Sequence, residues 1–181
     1  MVQFWVHESV LRQSAWFQKC LDSGMCEQTT RIVNLPEDDP DVFEIIFKWL
    51  YGDKQIREEN VLRIASTYIT TDIYGLLDLQ NALVDAIREL CATTRLGPSD
   101  AALIYRLSPD CCELRNFVVA KLHHDICKWP DDYGRQGVES GLYGREMRAL
   151  QVEDTELAGL LYRKCKGNML LLQPATYPTY I

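Results

Sequence analysis

The spacing between hydrophobic positions changes several times along this chain, and each change marks an element. Over residues 2–6, Phe4 and Val6 alternate with Gln3, Trp5 and His7, the two-residue period of a short β-strand. From Val10 the spacing lengthens. Val10, Leu11, Ser14, Phe17 and Leu21 fall on one helix face, with Glu8 or Ser9 at its start and Gly24 just past its end. Residues 31–35 are a second short strand candidate. Asp38, Asp39 and Pro40 then open a helix that runs to Tyr51. The carboxylates lie near the positive end of its dipole, and the proline sits in the first turn, where its missing N–H is harmless. Val42, Phe43, Ile45, Ile46, Phe47, Trp49, Leu50 and Tyr51 make this segment apolar almost all round, which places it at the centre of a core.

Residues 52–59 read as a turn with a fragment of strand. A helix follows from Asn60, with Val61, Leu62, Ala65, Tyr68 and Ile69 on one face, and Thr70, Thr71 and Asp72 are expected to break it. The next helix, from Ile73 to Cys91, carries Leu76, Leu79 or Gln80, Leu83, Ile87 and Leu90. Gly97 and Pro98 after a helix mark a boundary. Ser99 or Asp100 then caps a short helix to Leu107. A longer one from Ser108 to Lys128 bears Leu114, Phe117, Val118, Leu122 and Ile126. Residues 129–148, with glycines, a proline and mixed charge, read as loop. A last helix is expected from Val152 to Cys165, and then a tail that is disordered or loosely docked.

The first half of the chain resembles the BTB/POZ domain family. The resemblance rests on an ordered set of residues: Phe4, His7, Ser9 and Leu11 leading into a helix, Ser14 and Phe17 on it, and Met25 and Glu27 before a strand. Ile32 and Leu35 lie on that strand, and Phe43, Trp49, Leu50 and Tyr51 on a helix ending in Leu-Tyr. The acidic stretch Pro36, Glu37, Asp38, Asp39, Pro40 looks most like BTB proteins of filamentous fungi. The resemblance implies an α+β fold, a BTB/POZ-like helical cluster with a small flanking β-sheet, followed by a helical C-terminal extension. The expected divisions are residues 1–95 for the BTB/POZ-like domain, 96–128 for a helical pair, and 129–181 for a loop, one helix and the tail. It also implies one more strand before Phe4, so the domain is expected to be N-terminally truncated, with another chain supplying the missing strand as the alternative; residues 2–6 then lack a hairpin mate, and an unpaired strand edge invites other chains.

Charge and cysteine usage narrow the chemistry. Net charge is −7, and the acidic excess lies early, with nine basic against fifteen acidic residues in positions 1–95. No basic stripe supports a grip on nucleic acid. No apolar run approaches the roughly 20 residues that span a bilayer, and no basic segment with an apolar core follows Met1. A cytoplasmic or nuclear location is expected. Seven cysteines, an odd number scattered through helical patterns, fit free thiols in a reducing compartment.

Metal ligation is the nearest candidate chemistry, with Cys111, Cys112, His123, His124 and Cys127 close in sequence. There is no C-x-x-C pair, and His123 and His124 leave their helix in different directions. The expectation is core thiols, no metal and no cofactor. No glycine-rich phosphate loop and no nucleophile elbow occurs, so no small-molecule substrate is expected and the chain reads as no enzyme. His7 reads as a structural group at a strand–helix junction.

What the resemblance implies is protein binding. The expected partners are proteins: a second copy or other BTB domains, and a cullin scaffold for which the chain would act as a ubiquitin-ligase substrate adaptor. Trp5 and Trp16 lie where the family's dimer face would be. Met25 and Glu27 match the hydrophobic-x-Glu motif of the adaptors. Alternatives are a transcription- or chromatin-associated scaffold without direct DNA contact, and a small enzyme with an unrecognised site.

Overall fold

The computed structural model describes residues 2–110, 112–134 and 141–165. The chain divides into two compact units, Met1–Leu90 and Cys91–Ile181. Their elements are α1 (Glu8–Leu11), α2 (Ala15–Asp22), α3 (Cys26–Thr30), α4 (Pro40–Leu50), α5 (Val61–Tyr74), α6 (Leu77–Thr93), α7 (Pro98–Leu107), α8 (Glu113–Lys128), α9 (Gly144–Glu153) and α10 (Thr155–Lys164).

The expected α+β class is overturned: among the described residues there is no strand and no sheet. Residues 2–6, 31–35 and 52–59 are irregular or extended, but none forms a ladder. A strand exists only where a neighbouring backbone supplies the other half of the hydrogen bonds. Residues 2–6 instead pack through side chains. The Phe4 ring lies 5.1 Å from that of Phe43 and 5.8 Å from that of Phe47, both on α4. At residues 31–35, the left-handed Arg31 (φ 57°) closes α3, leaving Ile32 exposed and Leu35 half-buried.

The N-terminal unit is built on α4, which packs against α5. Asp39 accepts a hydrogen bond from the amide of Asp41, and Pro40 opens the first turn. Val42, Phe43, Ile46, Trp49 and Leu50 are buried, but the helix is not apolar all round. Asp41, Glu44, Lys48 and Tyr51 form an exposed stripe at three- and four-residue spacing. Helix α5 runs on through Thr70, Thr71 and Asp72, where a break was expected. Thr67 and Thr71 turn their hydroxyls back onto the carbonyls of Arg63 and Tyr68, so they add no unsatisfied group to the helix. The break comes at Gly75, in the left-handed conformation (φ 66°) that glycine adopts without strain.

Ser14 separates α1 from α2 and joins three elements. Its hydroxyl accepts from the amide of Phe17, capping α2, and donates to the carbonyl of Tyr74 at 2.7 Å, at the end of α5. Around it Phe17 and Tyr74 stack with centroids 4.8 Å apart, and Trp16 meets both rings edge-on. The Tyr74 hydroxyl donates to Asp38 at 2.6 Å. Burial and the Asp38 carboxylate push that phenol well above its ordinary pKa.

In the C-terminal unit, α7 packs on α8 and α9, and α10 packs on α8 and α9. Leu114, Val118, Leu122 and Ile126 of α8 are buried, as are Ile104, Leu150, Leu157 and Leu161 of the helices around it. Asp125 is 0% exposed. It accepts from the amide of Leu96 at 3.0 Å and from Lys121 Nζ at 2.8 Å. Helix α9 begins within residues 129–148, which read as loop, and ends inside the expected last helix, which Asp154 divides; only Met147 and Leu150 of α9 are buried hydrophobic side chains, too few to show a period. The expected tail, residues 166–181, lies outside the described residues, as do Met1 and Cys111. No described helix is long and apolar enough to cross a membrane.

Candidate protein-binding surface

The N-terminal segment is fixed at two points and open between them. Phe4 and Val6 turn inward and are half-buried, while Gln3, Trp5 and His7 turn outward. Phe4 docks on α4 as described. At the other end the amide of His7 donates to the Tyr51 hydroxyl at 3.0 Å, and His7 Nδ1 lies 3.4 Å from the same oxygen. His7 and Tyr51, both exposed, thus tie the start of α1 to the end of α4. Between these anchors Trp5 stands 84% exposed, the most open large hydrophobic side chain described. Its neighbour in the expectation, Trp16, is half-buried and engaged with Phe17 and Tyr74. The structure therefore separates the two tryptophans, one free for contact and one covering the core edge.

Met25 and Glu27 lie at the start of α3. Met25 precedes the helix and is 68% exposed, whereas Glu27 is half-buried. The turn that carries them is held by charge. Arg12 forms a two-pronged pair with Asp22, at 2.9 and 2.8 Å, and also reaches Glu8. Arg31 adds a contact to Glu8 at 3.4 Å. The paired guanidinium holds the Asp22 carboxyl below its ordinary range. Leu11 is half-buried, Leu35 likewise, and Phe17, Phe43 and Trp49 are buried. Lys54 lies over the Trp49 ring at 4.2 Å and donates to its carbonyl.

An open cleft in the C-terminal unit is lined by Tyr105, Ser108, Arg115, Asp154 and Glu156, among others, and includes neither His7 nor His123. Arg115 there pairs with Asp110 and Glu156.

One cluster was only partly legible in the sequence, where His123 and Cys127 are weighed as ligands and Cys165 is not. His123 and Cys127, four apart on α8, converge with Cys165 at the end of α10, and their ligand atoms all lie within 4.8 Å of one another. Burial and the neighbouring Cys127 push the Cys165 thiol up to about 11. His124 points away, exposed, with Nδ1 3.2 Å from Asp125. Cys112 caps α8 by accepting from the amide of Arg115. The i, i+4 pair was visible in the sequence. Cys165 could not be assigned to it without knowing that α10 packs on α8.

The N-terminal segment thus carries an exposed tryptophan between two anchors, and an exposed methionine stands at a charged turn. Residues 1–89 match the family model described as the BTB/POZ domain, and the chain is a BTB-domain protein through that span. The domain is a protein–protein interaction module. No curated protein and no solved structure matches the chain.

Proposed function

We propose that the BTB domain self-associates, with a second copy pairing against residues 2–6 and covering Trp5. The observation that carries this reading is Trp5, 84% exposed on an extended backbone that enters no ladder among the described residues. Open backbone groups of this kind recruit another extended chain, and a tryptophan beside them supplies the anchor. Light scattering over a concentration series is the test. The parent is expected to rise from monomer to dimer mass. Trp5→Ala weakens the association by about 30-fold or more, the loss of an anchor worth about 2 kcal/mol. A parent that stays monomeric at every concentration refutes the reading.

Met25 favours a second reading, an adaptor for a cullin scaffold, since it stands exposed at the turn beside Glu27. In that role residues 96–181 would carry target recognition. Titration of purified cullin N-terminal repeats is expected to show binding that Met25→Ala and Glu27→Ala abolish. Equal binding by parent and variants removes the motif from consideration.

A further inference from the structure

We infer that His123, Cys127 and Cys165 form a zinc-binding site of two thiolates and one imidazole, with solvent at the fourth vertex. Two independent features of the fold converge on it. Positions 123 and 127 lie one above the other on the same face of α8, and the packing of α10 on α8 delivers the residue that closes α10.

The spacing fits the ion. With Zn–S near 2.3 Å and Zn–N near 2.0–2.1 Å, a tetrahedral site has a nitrogen–sulfur edge of about 3.6 Å and a sulfur–sulfur edge of about 3.8 Å. Cys127 Sγ lies 3.6 Å from His123 Nε2. All three ligand atoms fall within 4.8 Å of one another, so the widest pair has at most about 1 Å to close. A side-chain rotation covers that distance without moving either helix.

The donor set selects the metal class. Two soft thiolates with an imidazole favour zinc and disfavour magnesium or calcium, which take hard oxygen ligands. The setting also supplies a floor and an entry path. Cys165 is buried beside Leu161, His123 is half-buried, and Cys127 is exposed, so an ion reaches the site from solvent. Binding joins α8 to α10 and releases the thiol protons to solvent.

The test uses the full chain, purified under reducing conditions and dialysed against one equivalent of zinc. Elemental analysis is expected to give one zinc per chain. Cys127→Ser changes an exposed side chain and so leaves the core intact. It is expected to weaken zinc by more than about 100-fold, since even the loss of an outer partner of a ligand costs roughly 10–100-fold. His123→Ala behaves alike, while Cys26→Ser, an exposed thiol in the other unit, retains the metal. Cobalt substituted for zinc gives thiolate-to-metal charge-transfer absorption in the parent, reduced by about half in Cys127→Ser because one of two thiolates is gone. Either of two outcomes overturns the proposal: zinc-free parent after dialysis, or Cys127→Ser holding as much zinc as the parent.

Discussion

Replacing Ser14 by alanine isolates the value of one buried hydroxyl. That oxygen has two partners. As cap of α2 it accepts from Phe17, a contribution of about 1 kcal/mol. As donor it satisfies the Tyr74 carbonyl at 2.7 Å. Ser14 and Tyr74 are both buried, so water cannot replace the lost donor, and an orphaned buried acceptor costs about 1–3 kcal/mol. The expected loss is therefore about 2–4 kcal/mol, a large part of the ~5–15 kcal/mol that holds a typical domain folded. Asn60→Ala is the matched comparison. Asn60 caps α5 through its side-chain oxygen, accepting from Leu62 and Arg63, but it is exposed and serves no buried carbonyl. That variant is expected to lose only about 1 kcal/mol. Urea unfolding followed by tryptophan fluorescence measures both, since Trp16 lies edge-on to Phe17 and Tyr74. If Ser14→Ala loses no more than Asn60→Ala, the carbonyl is satisfied some other way and the reasoning fails.

Two further predictions concern charge. Asp125→Ala leaves Lys121, only 10% exposed, and the Leu96 amide without their partner. A loss of about 3–5 kcal/mol is expected by the same urea measurement, whereas the paired change Lys121→Met with Asp125→Leu recovers the share due to the stranded ammonium and leaves that of the unpaired Leu96 amide. Asp22, whose carboxyl Arg12 holds below its ordinary range, binds its proton less readily folded than unfolded. Its contribution is thus present above about pH 4 and is lost as pH falls through the depressed folded value. Thermal midpoints measured from pH 6 to pH 2 should fall more steeply for the parent than for Asp22→Asn, and parallel curves would contradict the pairing.

Helices with a sustained apolar face were legible in the sequence. Asp39 and Pro40 announced α4, and the Leu79, Leu83, Ile87 series announced α6. The small sheet was not there to be read, because an alternating pattern is satisfied equally well when Phe4 docks on α4 and Val6 is half-buried. Alternation reports which side is buried; it is silent on whether a neighbour supplies hydrogen bonds. The break in α5 was misplaced for a related reason. Thr70, Thr71 and Asp72 look like a helix end by type, yet the Thr71 hydroxyl has an acceptor within its own helix, and only Gly75 meets the conformational demand of a stop. At the surface, residue type could not distinguish Trp5 from Trp16. Cys165 could be joined to His123 and Cys127 only through the packing of two helices.

The double anchorage of the N-terminal segment makes its outward face a matter of parity. Inserting a single residue between Phe4 and His7, with both anchors kept, would turn Trp5 toward α4 or force the strip to buckle. Deleting one would do the same. Adding two would restore the original presentation. Length variants of this strip should therefore alternate between competence and failure for whatever grasps Trp5, although every one of them keeps the same helices and the same core.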